Sequence, residues 1–303
     1  MDPRTETPTS GAPTAEVAGA PERSRDHAAL GRRSRAGRRS RPDMLRIGGR
    51  IRTHHFLIIA TAVFATLLLL WVLATSFEWV KPLFLPSPGK VWDRLWELAK
   101  GGELWDDARI SIYRILVGFL LATVMAIPIG VLIGAYRFWE AAIEPLVDFI
   151  RYMPVVAFVP LTILWAGTGD GQKFLIIWIG TFFQQVLLIM DNTKRVPLDL
   201  VDIGRTLGMK DRSILARIIL PGAAPGIWDS MRISLGWAWT WLVLAELVAA
   251  TSGLGYRITT AQRFFQTETI IGYILVLGIL GLVTDQVMKA VGRRMFRYAE
   301  ARR

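Results

Sequence analysis

The sequence contains no cysteine and only three histidines, and these shortages exclude several classes of function. Without cysteine the chain cannot form disulfides, ligate an iron–sulfur cluster or present a catalytic thiolate. The histidines are His27, His54 and His55, and none lies inside a predicted membrane span. We therefore expect no histidine-bound metal, no haem and no histidine general base.

The sequence also lacks a Gly-x-x-x-x-Gly-Lys-Ser/Thr loop for holding phosphates. A nucleophile elbow and a convergent set of acid and base residues are missing as well, which argues against an intramembrane enzyme. We expect that this chain binds no cofactor and catalyses no reaction. Any work that it performs must then be driven by another protein.

Positive charge is concentrated at the start of the chain. The formal net charge is +11, and residues 1–55 hold twelve arginines among Pro, Ser, Thr, Ala and Gly. This composition cannot bury a core, so residues 1–55 are predicted to be a disordered tail. The tail is interpreted as a solvated cytoplasmic segment that fixes orientation. An arm that binds nucleic acid or anionic lipid is the alternative.

Long apolar runs fill most of the remaining sequence. Over the whole chain, 52% of the residues are hydrophobic. Each run is close to the roughly 20 residues that a helix needs to cross a bilayer. An amphipathic helix from Gly89 to Lys100 is predicted to lie flat on the membrane between the first two runs. We therefore predict an all-α membrane protein with six spans, at about 56–76, 110–136, 143–165, 174–190, 233–250 and 270–291.

A few polar residues and prolines interrupt these spans. Pro154 and Pro160 predict a kink in the third span. Asp148 and Arg151 are three residues apart, so they are predicted to pair on one helix face. Glu246 lies near the outer end of the fifth span, where a buried carboxylate requires an arginine, the partner chain or water, and Asp285, late in the sixth span, is expected to pair with a basic residue near the membrane surface.

An aromatic and amide surface is predicted to line a translocation path. Trp237 and Trp241 share a helix face, and either Gln184 or Gln185 faces them in this hypothesis. Glu246 is included as a further candidate for the path. A lining of this kind, without a fixed charge, would let small polar solutes pass rather than hold them.

The distribution of basic residues predicts the orientation. Arginines flank the start of the first span and the end of the last, and the segment between the fourth and fifth spans carries six more basic residues from Lys194 to Arg217. The positive-inside rule places both termini and that segment, residues 191–232, in the cytoplasm.

A charged insert from Leu198 to Pro221 separates the fourth and fifth spans. Leu200, Ile203 and Leu207 recur at steps of three and four, so they form one apolar ridge on a short helix. Gly208 follows where a helix ends in a left-handed turn, and a second helix is predicted to stop at Pro221. An apolar ridge on the surface of a membrane protein is typical of a helix that enters a groove in a partner.

This insert resembles the cytoplasmic loop of ABC importer permeases, whose pattern is Glu-Ala-Ala, three residues, Gly, nine residues and Ile-x-Leu-Pro. Gly208 and the segment from Ile218 to Pro221 match it with full spacing, whereas the opening triplet departs from it as Asp202-Ile203-Gly204. The segments Leu85–Pro88 and Met153–Gly167 are similar to those of nitrate, taurine, sulfonate and bicarbonate permeases. The resemblance covers about residues 83–295.

The resemblance implies a type I importer permease fold, with a permease domain at 56–295 and a basic tail at 296–303. It implies a second permease copy, usually identical, two ATPase subunits that bind the ATP, and an extracytoplasmic solute-binding protein, in the plasma or inner membrane. No nucleic acid is expected. Another small nitrogenous or heterocyclic solute remains an alternative to the anions named above. The residues expected to couple to the ATPases are Asp202, Ile203, Gly204, Leu207, Gly208, Ile218 and Pro221.

Overall fold

The computed structural model describes residues 53–300, and every regular element in that range is a helix. The predicted tail at 1–55 therefore lies almost wholly outside the described residues. The helices are α1 (Thr53–Ser76), α2 (Pro88–Lys100), α3 (Glu103–Ala135), α4 (Arg137–Arg151), α5 (Val159–Ala166), α6 (Asp170–Lys194), α7 (Leu198–Thr206), α8 (Asp211–Ile214), α9 (Leu220–Ala249), α10 (Leu254–Arg263), α11 (Thr267–Met295) and α12 (Arg297–Glu300).

Four of these helices, α1, α3, α6 and α11, are each long and apolar enough to cross a membrane. Two bent pairs, α4 with α5 and the α8–α9 segment with α10, raise the number of candidate spans in the described range to as many as six if each pair is one span. Only helices satisfy every backbone group in lipid without help from neighbours, so long apolar runs fold this way. The chain divides into the units Met1–Phe64 and Ala65–Arg303, and α1 continues across the boundary.

The core is built from α3, α6 and α9. Glycines on α3 bring it close to α6: a Cβ at Gly130 would lie 2.7 Å from Ile189 Cβ, and one at Gly134 would lie 2.6 Å from Thr193 Cβ. The Gly130/Gly134 spacing is thus a real helix-packing contact. Ala122, Ala126 and Ala238 are fully buried at the same interfaces.

The surface helix α2 begins as the sequence predicts. Ser87 is its N-cap and accepts a hydrogen bond from the Lys90 backbone N–H, and Pro88 occupies the first turn. Val91 and Leu98 are buried, while Trp92 and Trp96 remain exposed.

The predicted third span is not one kinked helix. Two helices, α4 and α5, meet at 87° across a break that includes Pro154 and a 3₁₀ turn at Val155–Phe158. Pro154 has no N–H to continue the ladder, and Tyr152 and Met153 before it have left the helix. The expected kink is therefore a complete break, and the residues around it are free to line a cavity.

The predicted stop at Pro221 is wrong. A π-helical turn at Leu215–Ile219 joins α8 to α9, and Pro221 lies in the first turn of α9. A proline is tolerated there because its missing N–H is not required at a helix start. The helix that contains the predicted fifth span therefore begins at Leu220 rather than Ile233, and residues 220–232 of the predicted loop 191–232 are helical.

Beyond α9 the chain bends by 49° into α10, which was predicted as loop. Part of the predicted basic tail at 296–303 forms the short helix α12.

Candidate functional site

The first candidate site is the exposed ridge on α7. Ile203 is 56% exposed and Leu207 is 75% exposed, and Leu200 lies one turn earlier on the same side. Apolar side chains of this size on a helix with charged neighbours make a surface suited to a groove in another protein. The structure therefore forms the ridge that the sequence predicts.

The opposite face of α7 packs against the start of the α9 segment. Val201 and Gly204 are buried there. A Cβ at Gly204 would lie 2.9 Å from Ile218 Cδ1 and 3.3 Å from Ile214 Cγ1, so the absence of a side chain lets the two elements approach. The close packing of these two elements thus explains why a glycine fits at position 204.

The end of α7 has the geometry that was predicted for it. Gly208 has a φ of +74°, the left-handed conformation that favours glycine, and the Met209 N–H donates to Gly204 O at 3.0 Å. Asp202 is exposed and pairs with Arg205 at 3.2 Å within the same helix. Pro221 is bound by a residue from the C-terminal end of the described chain, because the Tyr298 hydroxyl donates a hydrogen bond to the Pro221 carbonyl at 2.9 Å.

The second candidate site is a cavity of about 400 Å³ at the break between α4 and α5. Gln184 on α6 and Trp237 and Trp241 on α9 line it, as the hypothesis proposed. Trp239 points away and donates its indole N–H to Thr284 Oγ1 at 3.1 Å.

Hydrogen-bond donors surround this cavity. Arg151 and Tyr152 lie on its wall, with the guanidinium bonded to the Tyr152 hydroxyl at 3.1 Å and paired with Asp148 at 2.8 Å. The predicted Asp148–Arg151 pair is therefore confirmed, but Arg151 also brings a positive charge to the cavity. The buried indole N–H of Trp241 has no hydrogen-bond partner in the described part of the chain.

Two residues proposed for the path lie elsewhere. Gln185 is 1% exposed, and its amide exchanges hydrogen bonds with Thr123 on α3 at 3.2 and 3.3 Å. Adjacent helical residues point about 100° apart, so only one of the two glutamines faces the cavity. Glu246 is buried in a separate polar cluster.

That cluster ties the end of α9 to α3 and α6. Arg114 donates to Glu246 Oε1 at 2.9 Å, to Asp170 Oδ1 at 2.7 Å and to the Ser252 carbonyl at 2.7 Å. Ser111 Oγ and the Gly255 N–H also donate to the Glu246 carboxylate, at 2.8 Å each. Both oxygens of the Glu246 carboxylate and most N–H donors of the Arg114 guanidinium therefore have hydrogen-bond partners, as buried charges require.

A second layer of the cluster surrounds Asp107. Its carboxylate accepts hydrogen bonds from Arg257 at 2.9 Å, from the Tyr273 hydroxyl at 3.0 Å and from the Gly253 N–H at 3.1 Å. The nearby ammonium of Lys173 is buried and donates to the carbonyls of Thr168 and Ala249. A cation there compensates the partial negative charge at the C-terminus of α9.

The sequence analysis missed Asp107, Arg114 and Lys173. A signal was present, since Asp107, Ser111 and Arg114 follow the spacing of one helix face across the start of the predicted second span. The Asp285 expectation is confirmed, because Arg232 pairs with it at 2.9 Å. Within residues 53–300 there is no group of three or more His, Cys, Asp or Glu side chains arranged to hold a metal ion.

Comparison with known proteins agrees with this architecture. Residues 126–297 match the family model described as binding-protein-dependent transport system inner membrane component. A probable ABC transporter permease protein of Brucella abortus is 38% identical over 230 residues, covering 76% of this chain and 91% of the relative. The taurine transport system permease protein of Escherichia coli is 30% identical over 242 residues, covering 78% and 88%.

A putative aliphatic sulfonates transport permease protein of Bacillus subtilis is 33% identical over 234 residues, covering 77% of this chain and 85% of the relative. An inward-facing structure of the MetNI methionine ABC transporter shares the fold, with a TM-score of 0.57 at 19% identity over 66% of this chain and 96% of that chain. The chain therefore belongs to the family of inner-membrane components of binding-protein-dependent transport systems, and it is a multi-pass permease subunit of an ABC importer of the type that includes the taurine and sulfonate permeases.

Proposed function

We propose that the ridge on α7 docks into an ATPase subunit on the cytoplasmic side and that the cavity beside Trp237 and Trp241 is part of the solute path. The proposed assembly contains two identical copies of this chain, two ATPase subunits that bind the ATP, and an extracytoplasmic binding protein. Both termini of the chain lie in the cytoplasm in this arrangement.

The observation that carries the coupling proposal is the two-sided character of α7. One side exposes Ile203 and Leu207, and the other packs Gly204 against Ile218. A helix that is fixed on one face and apolar on the other can both bind a partner and pass its displacement to α9. For a partner to shift the permease between two states, its contacts must differ between those states.

The absence of native cysteine makes a direct test possible. In a Leu207→Cys variant, a bismaleimide should crosslink the chain to a cysteine placed in the groove of the co-purified ATPase subunit, and nucleotide should change the yield. Trp105→Cys is the matched control, because Trp105 is 66% exposed at the start of α3 on the opposite side in this proposal.

The same pair of variants tests orientation. A membrane-impermeant maleimide added to intact cells should label Trp105→Cys and should reach Leu207→Cys only after lysis. Labelling of Leu207→Cys in intact cells would overturn the docking proposal, and so would equal crosslinking of both variants to the ATPase.

For the solute we propose a small oxyanion of the sulfonate, taurine, nitrate or bicarbonate kind. The cavity wall offers the Arg151 guanidinium, the Gln184 amide and the unpaired Trp241 N–H, and within the described residues no carboxylate lines it. These donors suit an anion with several oxygen atoms, which would compete with Asp148 for the Arg151 guanidinium. Relatives named for taurine and aliphatic sulfonates support the same class.

Arg151→Gln should lower transport of such an anion by about tenfold to about a hundredfold, because a hydrogen bond to a charged group contributes roughly 1.5–3 kcal/mol and each 1.4 kcal/mol is a factor of about ten. Asp148→Asn is the matched control, since it breaks the same ion pair but leaves the guanidinium in place. Uptake by proteoliposomes that contain the whole transporter measures both. Equal losses in the two variants would show that the pair is only structural.

A further inference from the structure

A second, wholly apolar groove lies beside the start of α9 and shares no lining residue with the solute cavity. Its volume is about 380 Å³. Ile127 on α3 forms one wall, Ala224 and Trp228 on α9 form another, and Phe296 beyond the end of α11 closes it. The groove thus lies at the end of the bundle where α11 stops.

The walls of this groove are held in place by specific contacts. The Trp228 indole N–H donates to the Met288 carbonyl at 2.9 Å, and its ring lies against Gly292, where a Cβ would be only 2.6 Å from the indole nitrogen. The bond from Tyr298 to the Pro221 carbonyl fixes the chain just after Phe296. The groove is therefore preformed and does not depend on the occupant to shape it.

The groove continues onto apolar surfaces of the membrane-spanning helices. On α3, Val124 is 69% exposed and precedes Ile127 by three residues, so both lie on one face. On α11, Val287 and Val291 are exposed a few residues before Phe296. Faces of this kind on spanning helices meet lipid acyl chains, so the groove is open to the bilayer.

Four arginines lie close along the chain to residues that line the groove. Arg293, Arg294 and Arg297 flank Phe296 in the chain, and Arg217 lies one turn before Pro221. All four are exposed, and within residues 53–300 none of their side chains has an ion pair or a hydrogen bond. By contrast, Arg232 on α9 nearby is neutralised by Asp285 at 2.9 Å.

We propose that this groove binds one phospholipid with an anionic headgroup, with an acyl chain against Trp228 and Ala224 and the phosphate among the four arginines. Basic pockets at the cytoplasmic ends of spanning helices are suited to acidic headgroups. Aromatic side chains such as Tyr298 suit the level of the headgroups. Only the choice of the inner leaflet rests on the proposed orientation of the permease.

Native mass spectrometry of the full-length chain, purified in detergent, tests the proposal. The probes are phosphatidylglycerol and phosphatidylcholine with the same acyl chains. Wild type should retain one phosphatidylglycerol in preference to phosphatidylcholine. The triple variant Arg293→Gln, Arg294→Gln, Arg297→Gln should bind phosphatidylglycerol at least about tenfold more weakly.

Ala224→Phe should also lose the bound lipid, because the larger side chain fills the groove and leaves the arginines unchanged. The matched control is Arg109→Gln with Arg263→Gln, which removes exposed arginines that lie away from the groove and should retain the lipid. The triple variant leaves the groove walls intact, so its result stands even where Ala224→Phe fails to fold.

Three results would overturn the proposal. One is equal retention of the two lipids by wild type, which indicates a non-selective annular lipid. Another is loss of lipid in the control variant as well. A third is loss of the second permease copy from the complex in Ala224→Phe with lipid binding unchanged, which would make the groove a subunit interface.

Discussion

Breaking the buried ion pair between Arg114 and Glu246 should destabilise the permease more than any change at a surface pair. The two side chains are 4% and 0% exposed and are joined at 2.9 Å. Arg114→Met would leave the Glu246 carboxylate buried with only Ser111 and the Gly255 N–H as donors. Removing one partner of a buried pair costs about 3–5 kcal/mol, so a loss of that size is expected.

Neutralising Glu246 should lower the free energy of unfolding by less than removing the Arg114 guanidinium does. In Glu246→Gln the guanidinium keeps Asp170 at 2.7 Å and the Ser252 carbonyl at 2.7 Å, and the amide oxygen still accepts hydrogen bonds. The expected loss is therefore about 1.5–3 kcal/mol, the range for a hydrogen bond to a charged group. Asp170→Asn is the control: the Asp170 side chain is 41% exposed, and pairs of that exposure contribute about 1 kcal/mol or less.

The pair of changes together is the decisive measurement. Arg114→Met with Glu246→Gln removes both charges, and a coupling of about 1–3 kcal/mol should make the double variant more stable than the sum of the two single losses predicts. Unfolding by SDS in mixed micelles measures the free energies, with fluorescence of the twelve tryptophans as the signal. Strictly additive losses would refute the reasoning, because they would show that the two charges do not interact.

Three further changes probe the coupling region. Gly208→Val should abolish uptake but leave membrane insertion intact, because a β-branched residue is strained at a φ of +74°, whereas Gly169→Val, at a φ of −73° and with open space around it, should be tolerated. Gly204→Ala should retain uptake, and lost uptake would contradict this. The free energy of unfolding should change by no more than about 1 kcal/mol, because alanine favours the helix while its Cβ would lie 2.9 Å from Cδ1 at the flexible end of Ile218. Ile218→Ala should keep the crosslink from residue 207 to the ATPase but reduce uptake per ATP hydrolysed, and a parallel loss of crosslink and uptake would count against separate docking and coupling roles.

The parts of the fold that depend on local rules could be predicted from the sequence. A bilayer admits few structures other than helices, so uninterrupted apolar runs located α1, α3, α6 and α11. Gly208 was predictable for a similar reason, because a glycine that follows an amphipathic helix marks a left-handed turn.

The features that depend on tertiary packing were not predictable in the same way. Pro154 predicted a kink, but α4 and α5 meet at 87°, and α4 packs beside α3 and α6 in contacts that no local pattern contains. Glu246 required a partner, yet Arg114 is 132 residues away in the sequence. Gln184 and Gln185 were equivalent in the sequence, and only the rotation of α6 against Thr123 separates them.

The two candidate sites are connected by one continuous helical element. Ile218, which contacts the buried face of α7, precedes Trp237 by 19 residues, and the chain between them stays helical through the π turn and Pro221. At about 1.5 Å per residue, the contact with α7 is roughly 28 Å along the axis from the tryptophans of the cavity. The far end of α9 is anchored by Glu246, so a movement imposed at Ile218 must rotate or tilt the helix rather than shift it freely. Such a motion would change the orientation of Trp237 and Trp241 towards Gln184, and a docked partner would then act on the cavity without touching it.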